Sequence, residues 1–208
     1  MKWRELLMLG LLGWTLVGII GVTISAVRAR RGIEGERGRV RRGVIAIVVV
    51  WVLYIAALLG VSLGQRQRVV AVGQEQCFDD MCFTVRKAEE VPRFLGANGI
   101  GDGSRLIRVT VMVRNKGRGK TQAEKVISAY LVDGQGRRWE ESRGVSGNRL
   151  TDRVRAGQEI VSEPVFKVAA DASGLGLVLT HGMWQPGRLV IGDSDSFLHK
   201  RTVVALGL

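Results

Sequence analysis

Leu106-Ile-Arg-Val-Thr-Val-Met-Val-Arg-Asn115 sets Ile107, Val109, Val111 and Val113 against Arg108, Thr110, Met112 and Arg114. Successive side chains of a strand point to opposite faces, so this period of two describes a half-buried β-strand. The pattern continues in both directions. Further strands are expected at Val69–Val72, Cys82–Ala88, Val126–Val132, Arg137–Glu141, Ile160–Val168, Leu175–Thr180, Arg188–Ile191 and Leu198–Ala205. Turn signals separate them at Gly96 to Gly103, Asn115-Lys-Gly, Asp133-Gly-Gln-Gly, Ala156-Gly, Gln185-Pro-Gly and Gly192-Asp. Short strands with this punctuation, and no amphipathic helix longer than about three turns, point to an antiparallel sandwich.

Upstream the period is lost altogether. Leu6–Val27 and Val44–Gly64 are uncharged apolar runs of 22 and 21 residues. At a rise of ~1.5 Å per residue each reaches about 30 Å, the depth of a bilayer core. Between them Arg28, Arg30, Arg31, Arg37, Arg39, Arg41 and Arg42 face only Glu34 and Glu36. Short cationic loops stay on the cytoplasmic side, so these seven arginines are read as determinants of topology. Both termini then face outward. Residues 1–64 form the expected membrane anchor, with helices over 6–27 and 44–64 and a basic cytoplasmic loop over 28–43. Residues 65–208 form one extracytoplasmic domain. The first run exceeds the core of a signal peptide, and strong positive charge follows it, so it is expected to be retained. Ala56, Gly60 and Gly64 recur every four residues in the second run, and Gly21 and Ser25 share that spacing in the first. Small residues in such a row suit close packing of helices.

The formal charge of +12 divides between the two regions: nine Lys/Arg against three acids in residues 1–64, and 22 against 16 in residues 65–208. Half of it is therefore a topology signal, and the other half is an interspersed, solvated surface. No nucleic-acid partner is implied. The two cysteines stand in Cys77-Phe-Asp-Asp-Met-Cys82. With no further cysteine and no nearby histidine, a zinc site lacks ligands, and a disulfide is the preferred reading, with free thiols or a redox pair as alternatives. A bridge agrees with an oxidising, extracytoplasmic address.

The order of Cys82-Phe-Thr-Val, the strand ending in Asn115-Lys-Gly, Leu131-Val-Asp-Gly-Gln-Gly-Arg-Arg-Trp139, Ala156-Gly-Gln-Glu and Val165-Phe-Lys-Val resembles a bacterial family of uncharacterised immunoglobulin-like extracytoplasmic domains, to which secreted immunoprotective antigens are similar. The resemblance covers roughly residues 72–192. It implies an immunoglobulin-like fold in which Asn-Lys-Gly closes a core strand, Asp-x-x-Gly makes a hairpin, and the late Gly-Glu and Phe-x-Val elements begin and fill another strand. It carries no catalytic residues. The cysteine pair and the extension Gly192–Leu208 depart from its pattern.

Chemistry-bearing motifs do not survive inspection. Gly119-Lys-Thr121 resembles the end of a phosphate loop, but Arg114 stands where the upstream glycine belongs. Gly144-Val-Ser146-Gly147 has Asn148 in place of the last glycine of a nucleophile elbow. His181 and His199, with Asp193 and Asp195, have no spacing that demands a metal, and Asp193-Ser-Asp-Ser lacks the glycine and distal glutamate of a calcium loop. No catalytic residue, metal or cofactor is expected. Turn-borne aromatics are better placed for binding: Trp184, Phe94 and Phe197 are the candidate partner-binding residues, while Trp139 is assigned to the core. The sequence thus describes a transmembrane α-helical hairpin followed by an all-β immunoglobulin-like antiparallel sandwich. It is placed in the cytoplasmic (inner) membrane as a two-pass protein, with the lipid bilayer and an envelope protein as partners. A non-enzymatic interaction or assembly role is preferred over a sensory domain for a small molecule or cell-wall component.

Overall fold

The computed structural model describes residues 3–94, 97–98, 103–142, 146–181, 189–192 and 196–208. They fall into two compact units, 1–66 with 184–200, and 67–183 with 201–208.

The first unit contains helices α1 (Trp3–Arg30) and α2 (Glu36–Gly64). Both are long and apolar enough to cross a membrane. They outrun the apolar segments that define them, so the expected 28–43 loop shrinks to the turn 31–35. Gly32, at φ 80°, ends α1. Ile33 N–H donates to Arg28 O and Gly32 N–H to Ala29 O, closing the last carbonyls of the helix. Arg28 and Arg30 occupy that last turn and Glu36 the first turn of α2, each sign matching the local helix dipole. Arg37, Arg39, Arg41 and Arg42 consequently ride on helix rather than loop.

The second unit is built of strands β1 (Val69–Ala71), β2 (Glu75–Phe78), β3 (Met81–Val91), β4 (Arg93–Phe94), β5 (Ala97–Asn98), β6 (Ser104–Asn115), β7 (Ile127–Val132), β8 (Arg138–Glu140), β9 (Ser146–Gly147), β10 (Glu159–Glu163), β11 (Val165–Ala169), β12 (Gly176–His181) and β13 (Val203–Ala205). One sheet runs β1-β13-β12-β7-β8, parallel only between β1 and β13. The other runs β2-β3-β6-β10-β9, with β11 also on β6, and β4 and β5 pair separately. The chain passes from the first sheet to the second between β1 and β2, back between β6 and β7, to the second again between β8 and β9, and to the first between β11 and β12.

Strand β6 organises the second sheet. Its inward residues Ile107, Val109, Val111 and Val113 are all 0% exposed, as the period of two requires. They join Phe83 and Val85 from β3, Leu131 from β7, Phe166 from β11, Leu177 and Leu179 from β12 and Val204 from β13 in one core. Each such side chain contributes about 1.5–3 kcal/mol by leaving water. A β-bulge between Val85 and Lys87 shifts the inward positions of β3 so that Ala88, opposite Val109, still faces the core. The strand expected over Ile160–Val168 is divided. β10 and β11 pair with β6 in one continuous register, but Pro164 between them has no N–H to donate, and its carbonyl instead accepts from Val109 N–H at 3.0 Å. Trp139 is partly buried against the core, in line with its assignment.

Two other expected strands are corrected. Of the strand expected over Arg188–Ile191, the described residues 189–191 form none, and the one expected over Leu198–Ala205 contributes only Val203–Ala205, with Leu198 at φ 61°. Strands β2, β4, β5 and β9 are additional to those expected.

Asn115 ends β6 as a fully buried polar hub. Its Nδ2 donates to Lys120 O and Val154 O, both at 2.9 Å, and its Oδ1 accepts from Gly117 N–H at 2.8 Å. One side chain thereby fixes the turn after β6 and the chain before β10. Asn115→Ala would leave the Lys120 carbonyl and the Gly117 amide without this partner, while Val154 O keeps the bond from Gln122 N–H at 3.0 Å. It should cost about 3 kcal/mol in denaturant unfolding of the detergent-solubilised chain. Val109→Asp, which places an unpaired charge in the core, should abolish the cooperative transition.

Candidate membrane anchor and partner-facing surface

The two helices touch along one narrow seam. Trp51 Nε1 donates to Thr15 Oγ1 at 3.1 Å, and Thr15 Oγ1 in turn donates to Leu11 O at 2.7 Å. The indole and hydroxyl are thus satisfied without water. One turn further, Gly18 packs on Ile47, whose side-chain carbons lie 3.2 and 3.3 Å from where a Cβ would stand. Next, Gly43 meets Val22, which leaves only 2.7 Å for a Cβ. Thr15, Gly18 and Val22 therefore oppose Trp51, Ile47 and Gly43 in antiparallel register. The row expected to pack is a different one: Gly21, Gly60 and Gly64 have nothing within 4 Å of the place a Cβ would occupy. Small residues were the right signal, but the partner's register chooses among them.

Outside the seam the helices show large apolar side chains on every other face. Leu16, Val17, Val52 and Leu53 are 61, 69, 58 and 63% exposed. The seven arginines cluster at the end where α1 meets α2, and Arg39 Nη1 pairs with Glu36 Oε1 at 2.6 Å. At the far end of α2, residues 189–192 and 196–200 belong to the same unit. Tyr54 Oη donates to Leu189 O, Ser62 Oγ and Ser196 Oγ share a hydrogen bond of 2.9 Å, and Leu58 between them is buried.

Of the candidate partner-binding aromatics, Phe197 lies in this segment and is 46% exposed. Phe94 lies in β4, which pairs with β5, and its side chain is outside the described residues. Trp184 is outside them as well, as are Asp193 and Asp195. Cys77 and Cys82 are directly opposite one another in the β2–β3 hairpin and are bonded to each other. Among the described residues these sulfurs and Glu75 form a group of metal-ligand type, but sulfurs engaged in a disulfide cannot ligate. His181 stands edge-on to Phe78 at 4.5 Å, with Glu124 Oε1 3.4 Å from its Nε2.

The polar residues of the β unit serve its own architecture. Asp133 Oδ1 accepts from Gln135 N–H at 3.0 Å and Arg137 N–H at 2.9 Å, and its Oδ2 accepts from Arg137 Nε at 2.7 Å. Gly136, at φ 80°, completes this β7–β8 hairpin, as the Asp-x-x-Gly motif implied. Burial pushes the Asp133 carboxyl upward, but the bonds from Arg137 and Gln135 outweigh it and hold the group below the usual aspartate range. On the outer face of the second sheet, Glu89 lies between Lys87 and Arg108. Hydrogen bonds from these two hold its carboxyl below the ordinary glutamate value.

No family model matches the chain, and no curated protein matches it. Among solved structures it is similar to the secreted protein MPT63 of Mycobacterium tuberculosis, with 10% identity and a TM-score of 0.46 over 68% of this chain and 99% of that one. An uncharacterised β-sandwich protein of Clostridium difficile is likewise 10% identical, with a TM-score of 0.43 over 68% and 95%. A conserved hypothetical protein of Bacillus anthracis is 17% identical, with a TM-score of 0.41 over 53% and 89%. Likeness at this level carries no argument about function.

Two tests follow from the contacts. Gly43→Leu should force the helices apart and lower the melting midpoint of the helical circular-dichroism signal by an amount equivalent to about 1–3 kcal/mol, whereas Gly21→Leu should leave it at the parent value. The ionised form of Asp133 is the one its partners bind. Its stabilisation is therefore present above the ordinary aspartate range and disappears as the pH falls through the depressed folded value. Acid titration of stability should show that limb in the parent and a flattened one in Asp133→Asn.

Proposed function

We propose that this chain is a two-pass protein of a bacterial inner membrane that presents an immunoglobulin-like β-sandwich on the extracytoplasmic side. There it acts as a non-enzymatic interaction or assembly module for another envelope protein. The observation that carries the reading is the apolar surface of α1 and α2 left exposed outside the Thr15–Trp51 and Gly43–Val22 seam and the patch around Leu58. Helices apolar all round call for an apolar solvent, and the bilayer is one. The seven arginines at one end support a cytoplasmic turn.

Strand order supports the finer reading of the domain. β3, β6 and β10–β11 correspond to three adjacent strands of one immunoglobulin sheet, while β7, β12 and β13 correspond to the facing three, with β1 added parallel to β13. The Cys77–Cys82 bridge suits an oxidising compartment. Binding is favoured over catalysis because the buried polar groups flagged by their chemistry, Asn115 and Asp133, already serve turns.

A phosphatase that folds only outside the cytoplasm, fused after Leu208, should be active. The same enzyme inserted after Gly32 should be silent. Replacing the seven arginines with glutamine should mix the two orientations. Activity only at the Gly32 insertion would contradict the proposal. For the partner, a photo-cross-linking residue at Lys87 or Glu140, on the outer faces of the two sheets, should give a discrete protein adduct in intact cells from at least one position. No adduct from either would contradict the interaction reading.

A further inference from the structure

We infer that residues 189–192 and 196–198 form a second membrane contact, seated in the outer interfacial layer of the bilayer with Leu189, Phe197 and Leu198 turned to lipid. The inference rests on the anchor reading above and goes beyond it, because neither the apolar runs nor the arginines call for a lipid contact so late in the chain.

Depth is the first argument. The seam sets Thr15 against Trp51, Gly18 against Ile47 and Val22 against Gly43. In that register Leu6, the first residue of the α1 apolar run, stands level with about Gly60 of α2. The hydrocarbon boundary on that side therefore falls near Gly60, with Glu5 of α1 just beyond it. Tyr54 is six residues deeper, which at 1.5 Å per residue is about 9 Å inside the boundary, and Ser62 is about 3 Å outside it. The segment is bonded to these two side chains: Leu189 O accepts from Tyr54 Oη, and Ser196 Oγ pairs with Ser62 Oγ. Leu189 and Ser196 are consequently held at the boundary, from shallow hydrocarbon to the head groups, the layer in which interfacial segments bury their apolar side chains by about 5–10 Å.

Composition is the second. Leu189-Val-Ile191 is apolar where the segment is deepest, with Val190 buried and Leu189 42% exposed. Phe197 and Leu198, at 46 and 53% exposure, follow directly after Ser196 at the boundary. Leu198 takes φ 61°, an uncommon conformation for a branched apolar residue. Lys200, exposed and two residues on, is in reach of lipid phosphates. The pairing also answers a need of α2. A tyrosine hydroxyl about 9 Å inside the boundary requires a partner, and Leu189 O supplies it.

The test uses the full chain with its Cys77–Cys82 bridge intact, reconstituted into phosphatidylcholine–phosphatidylglycerol vesicles. A single new cysteine carrying an environment-sensitive fluorophore is placed at Leu189, Leu198, Leu53 in mid-span, or Glu140 on the β unit. Labels at Leu189 and Leu198 should be quenched by a nitroxide near the head of the acyl chain and shielded from aqueous iodide about fivefold relative to Glu140. If both are as open to iodide as Glu140 while Leu53 stays quenched by lipid nitroxide, the segment does not enter the membrane and the inference fails with the anchor intact. If Leu53 is itself open to iodide, the anchor reading fails and takes the inference with it.

Discussion

Two helices of 28 and 29 residues carry far more apolar surface than the single seam between them covers. That imbalance is the constraint on which the rest of the account depends. In water each exposed Leu, Ile and Val along α1 and α2 would stand on the wrong side of the hydrophobic effect, at roughly 25 cal/mol per Å². In lipid the same residues cost nothing, and the demand passes to the polar groups. The helices meet that demand economically: Thr15 and Thr23 return their hydroxyls to the carbonyls of Leu11 and Ile19, and Trp51 gives its N–H to Thr15. Such satisfaction without water is what the proposed membrane setting asks of them.

The β unit obeys the opposite solvent. Its core depends on β6, which meets β3 on one side and β10 and β11 on the other, and whose inward valines and isoleucine are wholly buried. Asn115 closes that strand by holding three backbone groups at once. Asp133 does the same for the β7–β8 hairpin, and both residues are therefore structural where their chemistry alone left their purpose open.

Much of this was legible in the residues. The period of two in Leu106–Asn115 identified β6 and its inward face because a strand with one buried side leaves that imprint on composition. The two apolar runs identified α1 and α2 for the same reason at a different period. What stayed hidden depended on distant partners. Glu75–Phe78 becomes β2 only because Cys77 sits opposite Cys82 in the hairpin, and its own pattern is weak for a strand. Gly18 rather than Gly21 packs because Ile47 falls opposite it. Leu189–Ile191 looked like a strand on apolarity alone, yet apolarity does not say whether a residue faces a sheet, a helix or lipid, and here its backbone is engaged by Tyr54. Among the binding candidates, Phe197 is exposed and stands beside Ser196. Pro164 lies inside the strand expected over Ile160–Val168 and divides it, yet one register continues on both sides.

The central claim is that α1 and α2 have lipid as their solvent. Amide hydrogen exchange of the full chain in lipid nanodiscs tests it most directly, because backbone in hydrocarbon is shielded from both water and catalyst. The account predicts that amides of Leu6–Ser25 and Gly43–Gly60 remain protected long after those of 31–35 and 66–68 have exchanged, and that this protection survives denaturant sufficient to unfold the β unit. Exchange along both helices concurrent with the unfolding of the β unit would contradict it.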